Sequence, residues 1–329
     1  MNRSGLVLAI VTGLLATVFA LSLIVGQVWL DPREILSELF KPTPGLAALI
    51  VTDLRLPRAV LACLVGAALG LSGAVLQGWT RNPLAEPGLL GVSAGAALGA
   101  VIAIYFGMTA LFEVSGPVMG LIGALGASAL TFALGRRGGT ITFILAGAAV
   151  SGLAGACISL ALNLAPSPYA AYEIMTWLMG SLSDRSWNHV LLVLPFIVLG
   201  CAMLGFTGRA LDALSLGEVQ AQSLGINLDH LRILAILGTA LAVGAATSVT
   251  GAIGFVGLIA PHMVRPFAGH QPSRILLPAA LLGALLLLSA DIATRLIRIG
   301  PELKIGVVTS LIGTPFFFWL VIRLRKVAP

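Results

Sequence analysis

The chain has 329 residues, of which 58% are apolar and 10% charged, with a mean hydropathy of +1.04. That leaves too little polar surface to coat a soluble core, so the composition excludes a soluble globular protein and points to a membrane protein. Nineteen Lys and Arg against thirteen Asp and Glu give +6; in so apolar a chain the excess reads as membrane orientation, and nucleic-acid binding is set aside.

A helix needs about 20 apolar residues to cross a bilayer. Charge-free runs cover Gly5 to Gly26, Ala59 to Thr80, Pro87 to Phe112, Val114 to Gly135, Gly138 to Tyr172, Val190 to Gly208, Ile233 to Val264, Ile275 to Ala290 and Ile305 to Ile322. Pro166 and Pro168 end the fifth run and start an irregular segment. The glycine-rich stretch Thr250-Gly251-Ala252-Ile253-Gly254 divides the seventh into a full helix to about Val249 and a shorter one from about Phe255. The first run lacks a convincing small-residue cleavage site and stays as a helix. The fold class read from this is an all-α polytopic membrane protein with ten transmembrane helices, a single transmembrane domain over residues 1–329. Both termini then share a side. That side carries eleven Lys and Arg against four Asp and Glu, and the other eight against nine. The positive-inside bias places both termini in the cytoplasm.

Glycines recur four apart at Gly66 and Gly70, at Gly91, Gly95 and Gly99, and at Gly116 and Gly120. Small residues at that spacing let helix backbones approach closely, inside one bundle or at a subunit interface. Cys63, Cys157 and Cys201 lie in apolar runs without CxxC spacing and read as small packing residues. The helix interiors carry no ionisable group of the kind that ion-coupled transporters place at mid-membrane, which disfavours a secondary transporter, the alternative kept here. There is no GxxxxGK[ST] motif, and the only lysines are Lys41, Lys304 and Lys326, so any ATP-derived energy comes from another chain. Gln77, Asn163 and His262 are the notable polar residues in or near the spans; each reads as an interhelical hydrogen bond or as path lining. Gly91-Val92-Ser93-Ala94-Gly95 fits G-x-S-x-G, but it opens an apolar helix and no His partner is evident, so no catalytic residue is assigned. His189, His230, His262 and His270 lack zinc-protease spacing, and no metal site is assigned.

Three connecting segments carry more information. Ser215-Leu216-Gly217-Glu218, in the cytoplasmic connection over about 207–230, predicts a capping box followed by a short helix through Val219, Ala221 and Leu224 that stops at Gly225. That helix is either a membrane-surface element or a knob for a partner. Asp53-Leu54-Arg55-Leu56-Pro57-Arg58 is predicted as an outer loop before the second helix. Its two arginines, joined by Arg295, either offer forks to carboxylates or anchor headgroups. In Arg81-Asn82-Pro83-Leu84-Ala85-Glu86-Pro87 the prolines impose a fixed turn at the inner mouth of a helix.

Seven stretches in order resemble the FecCD-type permease subunits of ABC importers for iron-siderophores, haem and vitamin B12. They are LRLPR at 54–58, the glycine-rich stretch around 66–78, RNPLAEPGLLGVSAGAALG at 81–99 and WLMGSL at 177–182. LGEVQAQSLGI at 216–226, TGAIGFVGLIAPHMVR at 250–265, and AD with Arg295 followed by IGVVTSLIGTPFF at 305–317 complete the set.

The resemblance implies a vitamin B12 importer-like permease fold in the bacterial inner membrane: a homodimer with ten helices per subunit, working by alternating access. It implies two cytoplasmic ABC ATPase subunits that carry ATP and Mg, with no cofactor on this chain, and a periplasmic solute-binding protein. The implied cargo is an iron chelate (siderophore or haem) or cobalamin. Carried over residue by residue, Arg55, Arg58 and Arg295 resemble arginines that receive acidic residues of the binding protein. Leu216, Gly217, Glu218, Leu224 and Gly225 resemble the coupling helix, and Asn82, Leu84 and Thr140, with Gln77 on the path, resemble an inner gate. Glu302-Leu303-Lys304 departs from the family's Glu-Leu-Pro, replacing a rigid residue with a charge, and the loop at 266–274 lacks a basic residue often found at Pro272 or Ser273.

Overall fold

The computed structural model describes residues 3–26, 28–40, 45–112, 114–136, 138–269, 271–297 and 302–325. Lys41, Glu113, Arg137, Arg298 and Lys326, five of the loop charges, and His270 lie outside the described residues. Among the described residues there is no strand. The bundle consists of α1 (Arg3–Ile24), α2 (Leu56–Thr80), α3 (Val92–Tyr105), α4 (Ser115–Gly135), α5 (Thr140–Asn163), α6 (Trp187–Gly205), α7 (Leu228–Thr250), α8 (Val256–Val264), α9 (Pro272–Leu296) and α10 (Ile305–Arg325). Eight of these are long and apolar enough to cross a membrane. Helix α3, with 14 residues, and α8, with nine, are shorter than a crossing requires. Eight of the ten expected spans thus coincide with helices long enough to cross a membrane, and the other two fall on these shorter helices.

Helices α2 and α7 occupy the centre: 78% of the apolar window of each is buried, against 17% for α1. Helix α2 packs on α9, α8, α7 and α6, while α7 also contacts α4 and α6. These crossings are close because glycine leaves room. A Cβ on Gly66 would land on the carbonyl oxygen of Gly283 in α9, and one on Gly99 on that of Met119 in α4. The spaced glycines at 66–70 and 95–99 thus serve contacts within this chain.

The break expected after Val249 is present, with α7 ending at Thr250 and α8 starting at Val256. Gly251 has φ +72 and sits against the carbonyl of Trp177, where a side chain has no space. Three local expectations are corrected. The segment after α5 is not irregular throughout: Ser167 Oγ accepts from the amide of Ala170 at 3.1 Å and caps a further helix, Pro168–Leu178. Asp53–Arg58 is not a loop either. Leu49–Arg55 is a π-helix running directly into α2, with the Leu56 amide donating to Val51. The widened turn lies just ahead of Pro57, whose ring would clash with a carbonyl four residues back in a regular α-ladder.

The capping box at Ser215 and Glu218 does not form. Ser215 instead closes the preceding helix, Gly208–Leu214, and its Oγ donates to the carbonyl of Asp212 at 2.6 Å. Gly217, with φ +115, turns the chain and a six-residue helix follows, Glu218–Ser223. It stops where the sequence predicts: Gly225 has φ +83, and the amides of Gly225 and Ile226 donate to Gln222 and Ala221, a Schellman closure.

Candidate functional site

The last carbonyls of α1 have no partners within the helix. Arg55 supplies donors from the π-helix: Nη1 donates to Leu23 at 2.6 Å and Ile24 at 2.9 Å, and Nη2 to Val28. Arg295 of α9 donates from Nη1 to Ser22 at 2.9 Å and Val25 at 3.1 Å. Two guanidiniums thereby close the C-terminal end of α1, where positive charge also suits the helix dipole. Gly26 lies beside them, and a Cβ there would press on the Arg55 guanidinium.

Beneath these groups Asp291, with 0% exposure, accepts from Arg58 Nε at 2.8 Å and from Arg295 Nη2 at 2.5 Å. Glu302 accepts from Arg58 Nη2 at 2.5 Å. A buried carboxylate held by two guanidiniums is compensated, whereas the same carboxylate alone would strongly disfavour the fold. Burial pushes the Glu302 carboxyl up, but the hydrogen bond and charge of Arg58, helped by Ser183 and Arg295, outweigh it and hold the group below its ordinary value. Arg55, Arg58, Arg295 and Glu302 line one cavity of about 550 Å³ at this end of the bundle. The structure therefore brings together the three arginines singled out in the sequence, each already bonded to groups inside the chain. Sequence reasoning missed Asp291 and Glu302 as their partners. The four-residue spacing of Asp291 and Arg295 on one helix was the available signal.

The opposite end carries the short helix Glu218–Ser223. Leu216, Val219 and Leu224 are exposed around it, while Ala221 is buried and anchors it. Glu218, Gln222, Gly225, Asn227, Asp229 and Arg232 border a polar cleft of about 470 Å³ beside it. The base is fixed by Asp212, whose carboxylate accepts from the Ser273 amide at 2.8 Å, the Ser273 hydroxyl at 2.6 Å and Gln271 Nε2 at 2.7 Å.

At the same end Asn82 Oδ1 accepts from the Leu84 amide at 2.9 Å, fixing the turn that follows α2. Burial raises the Glu86 carboxyl above its ordinary value, partly opposed by a hydrogen bond from the backbone of Phe255 at the start of α8. Gln77, 2% exposed, donates to the carbonyl of Leu258 at 3.3 Å and accepts from Arg265 at 2.7 Å, so it is an interhelical bond in this structure. Thr140, the first residue of α5, borders a small void with Thr80, Glu86 and Phe143. Among the described residues His262 Nδ1 is buried without a hydrogen-bond partner, its ring beside Phe316 and Trp319 of α10. Ser93 sits in the first turn of α3, preceded by a 3₁₀ turn at Pro87–Leu90 rather than a strand, so the strand-to-helix setting of a hydrolase serine is absent there.

The chain is similar to known proteins along nearly its whole length. The hemin transport system permease protein HmuU of Yersinia pestis is 39% identical over 279 residues, covering 83% of each chain. The vitamin B12 import system permease protein BtuC of Vibrio cholerae is 39% identical over 317 residues, covering 94% of this chain and 92% of that one. A solved structure described as an inward-facing conformation of a metal-chelate type ABC transporter superposes with a TM-score of 0.83 at 32% identity, covering 97% of this chain and 99% of the other. The family model for the FecCD transport family matches residues 14–323, and with relatives this similar the chain belongs to that family.

Proposed function

We propose that this chain is the permease subunit of an ATP-driven importer in the bacterial inner membrane, passing an iron chelate (siderophore or haem) or cobalamin from a periplasmic binding protein to the cytoplasm. Two copies would form the path, ten helices each with both termini cytoplasmic, and two ATPase chains would hold ATP and Mg. The relatives, named for hemin and vitamin B12, support the cargo class. Arg55, Arg58 and Arg295 would meet acidic residues of the binding protein. Leu216, Gly217, Glu218, Leu224 and Gly225 would enter the ATPase, and Asn82, Leu84, Thr140 and Gln77 would form the inner gate. ATP binding would draw the ATPase pair together, and the knob would pass that movement into the bundle. The direction of transport then follows from the different affinities of the two conformations for ATP and for loaded binding protein.

One observation carries this reading: α9 is a single 25-residue helix with Asp291 and Arg295 in the arginine cluster at one end and Ser273 on the base of the exposed knob at the other. The test is to tag the chain in its native host, extract it in mild detergent and identify its stoichiometric companions by mass spectrometry, with crosslinking to hold a binding protein. An ATPase chain at one copy per permease, lost when Gly217 and Glu218 are replaced, is the expected result. Uptake by the chain alone, driven by a proton or sodium gradient, would overturn it in favour of a secondary transporter.

A further inference from the structure

In the arginine cluster Arg55 and Arg295 are each bonded through both terminal nitrogens and Arg58 through Nε and Nη2, while Arg295 Nε is buried without a partner among the described residues. Arg55 is bonded to Leu23, Ile24 and Val28, and Arg295 to Ser22, Val25 and Asp291. Those acceptors are backbone carbonyls at the end of α1 and a carboxylate with no exposure. Ser22, Leu23, Val25 and Asp291 are buried, and none of these four can be released without orphaning a buried group. Glu302 differs. Its side chain is 30% exposed, it borders the cavity, and it lies on the non-helical residues 302–304 just ahead of α10. Three guanidiniums face two carboxylates here, so the cavity retains positive character and suits an acidic side chain.

We propose that Glu302 is an internal stand-in for the carboxylate of the docking protein: it occupies Arg58 Nη2 in the free permease and is displaced when an acidic residue of the binding protein arrives. Asp291 stays in place and positions Arg58 and Arg295 for the exchange. One carboxylate replaces another, so the cluster never exposes an unpaired guanidinium, and docking strength reflects the difference between two similar pairs. A partner without an acidic residue at that point would leave Glu302 undisturbed and gain nothing. This inference rests on the docking role proposed above for the arginines.

The test uses the full-length permease in lipid nanodiscs and, as probe, the purified binding protein identified by the crosslinking experiment, with affinity measured at low and at moderate salt. E302Q is expected to bind about fivefold tighter than wild type at low salt. E302D, which keeps the charge, is expected to bind like wild type. In the R58A background the gain from E302Q should vanish, which identifies Arg58 as the group being contested. Equal or weaker binding by E302Q beside a wild type that binds would overturn the stand-in role and leave the docking role standing. A wild type that does not bind the probe would overturn both.

Discussion

Asp212 holds Ser273 by both its amide and its hydroxyl, and in doing so ties the base of the exposed knob to the first turn of α9. The free amides at a helix start favour a carboxylate, here one supplied from another segment of the chain. D212A removes three acceptor contacts and should cost about 1 kcal/mol locally, in the range of a lost helix cap. The expected outcome is faster amide exchange, read by mass spectrometry, over 208–216 and 271–276, with less ATPase chain retained on purification. Unchanged exchange in those two segments would mean that the platform is held by packing alone.

Gln77 and Arg265 set the second prediction. Replacing the buried Gln77 with Leu leaves the Leu258 carbonyl and the Arg265 guanidinium each short of a partner. Losing a bond to a charged group typically costs about 1.5–3 kcal/mol. Q77L should therefore lower the thermal midpoint of the detergent-solubilised protein, followed by tryptophan fluorescence. Q77E keeps an acceptor for Arg265 and should recover part of the loss; if both variants melt like wild type, this bond does not hold α2 to α8.

The glycines at helix crossings differ sharply from those facing outward. In G283A the new methyl meets the carbonyl oxygen of Gly66, and α2 and α9 must separate. Overpacking of this kind costs about 1–3 kcal/mol. Gly126, in α4, has nothing within 4 Å of a built Cβ, so G126A should be neutral or gain up to about 1 kcal/mol from helix propensity. Size-exclusion profiles and thermal midpoints of the pair check the contrast, and equal behaviour would remove the close-packing role assigned to Gly283.

Much of this arrangement is legible in the amino-acid sequence, and the exceptions share a physical cause. The long spans follow from apolar length, the break at Gly251 from a run of glycines, and the stop at Gly225 from the left-handed backbone it adopts. What eluded the sequence depends on competition or distance. Ser215 is a good cap in isolation, yet the carbonyl of Asp212 three residues earlier takes its hydroxyl. The π-helix at Leu49–Arg55 reflects Pro57 together with α1 carbonyls drawing Arg55 inward, and no local pattern encodes both. Glu302 and Arg58 are 244 residues apart, so their pairing appears only once α2 and the start of α10 are brought to the same end. The three arginines are visible as motif residues, whereas the carboxylates that hold them are not.

Two glutamates at opposite ends should give the fold pH dependences of opposite sign. Glu302 is held below its ordinary value because Arg58 outweighs burial. Its contribution is therefore complete above the unfolded value, about 4.3, and is lost as pH falls through the lower folded value. Glu86 is raised by burial. Its ionisation opposes folding, so stability is greatest below about 4.3 and declines as pH rises through the raised folded value. E302Q should thus melt lower than wild type at neutral pH, with the gap closing in acid. E86Q, which retains an acceptor for the Phe255 amide, should melt higher at neutral pH and lose its advantage in acid. Thermal midpoints of the three proteins across roughly pH 3 to 8 decide the matter: gaps of the same sign for both variants would mean that burial does not dominate at Glu86 or that Arg58 does not dominate at Glu302.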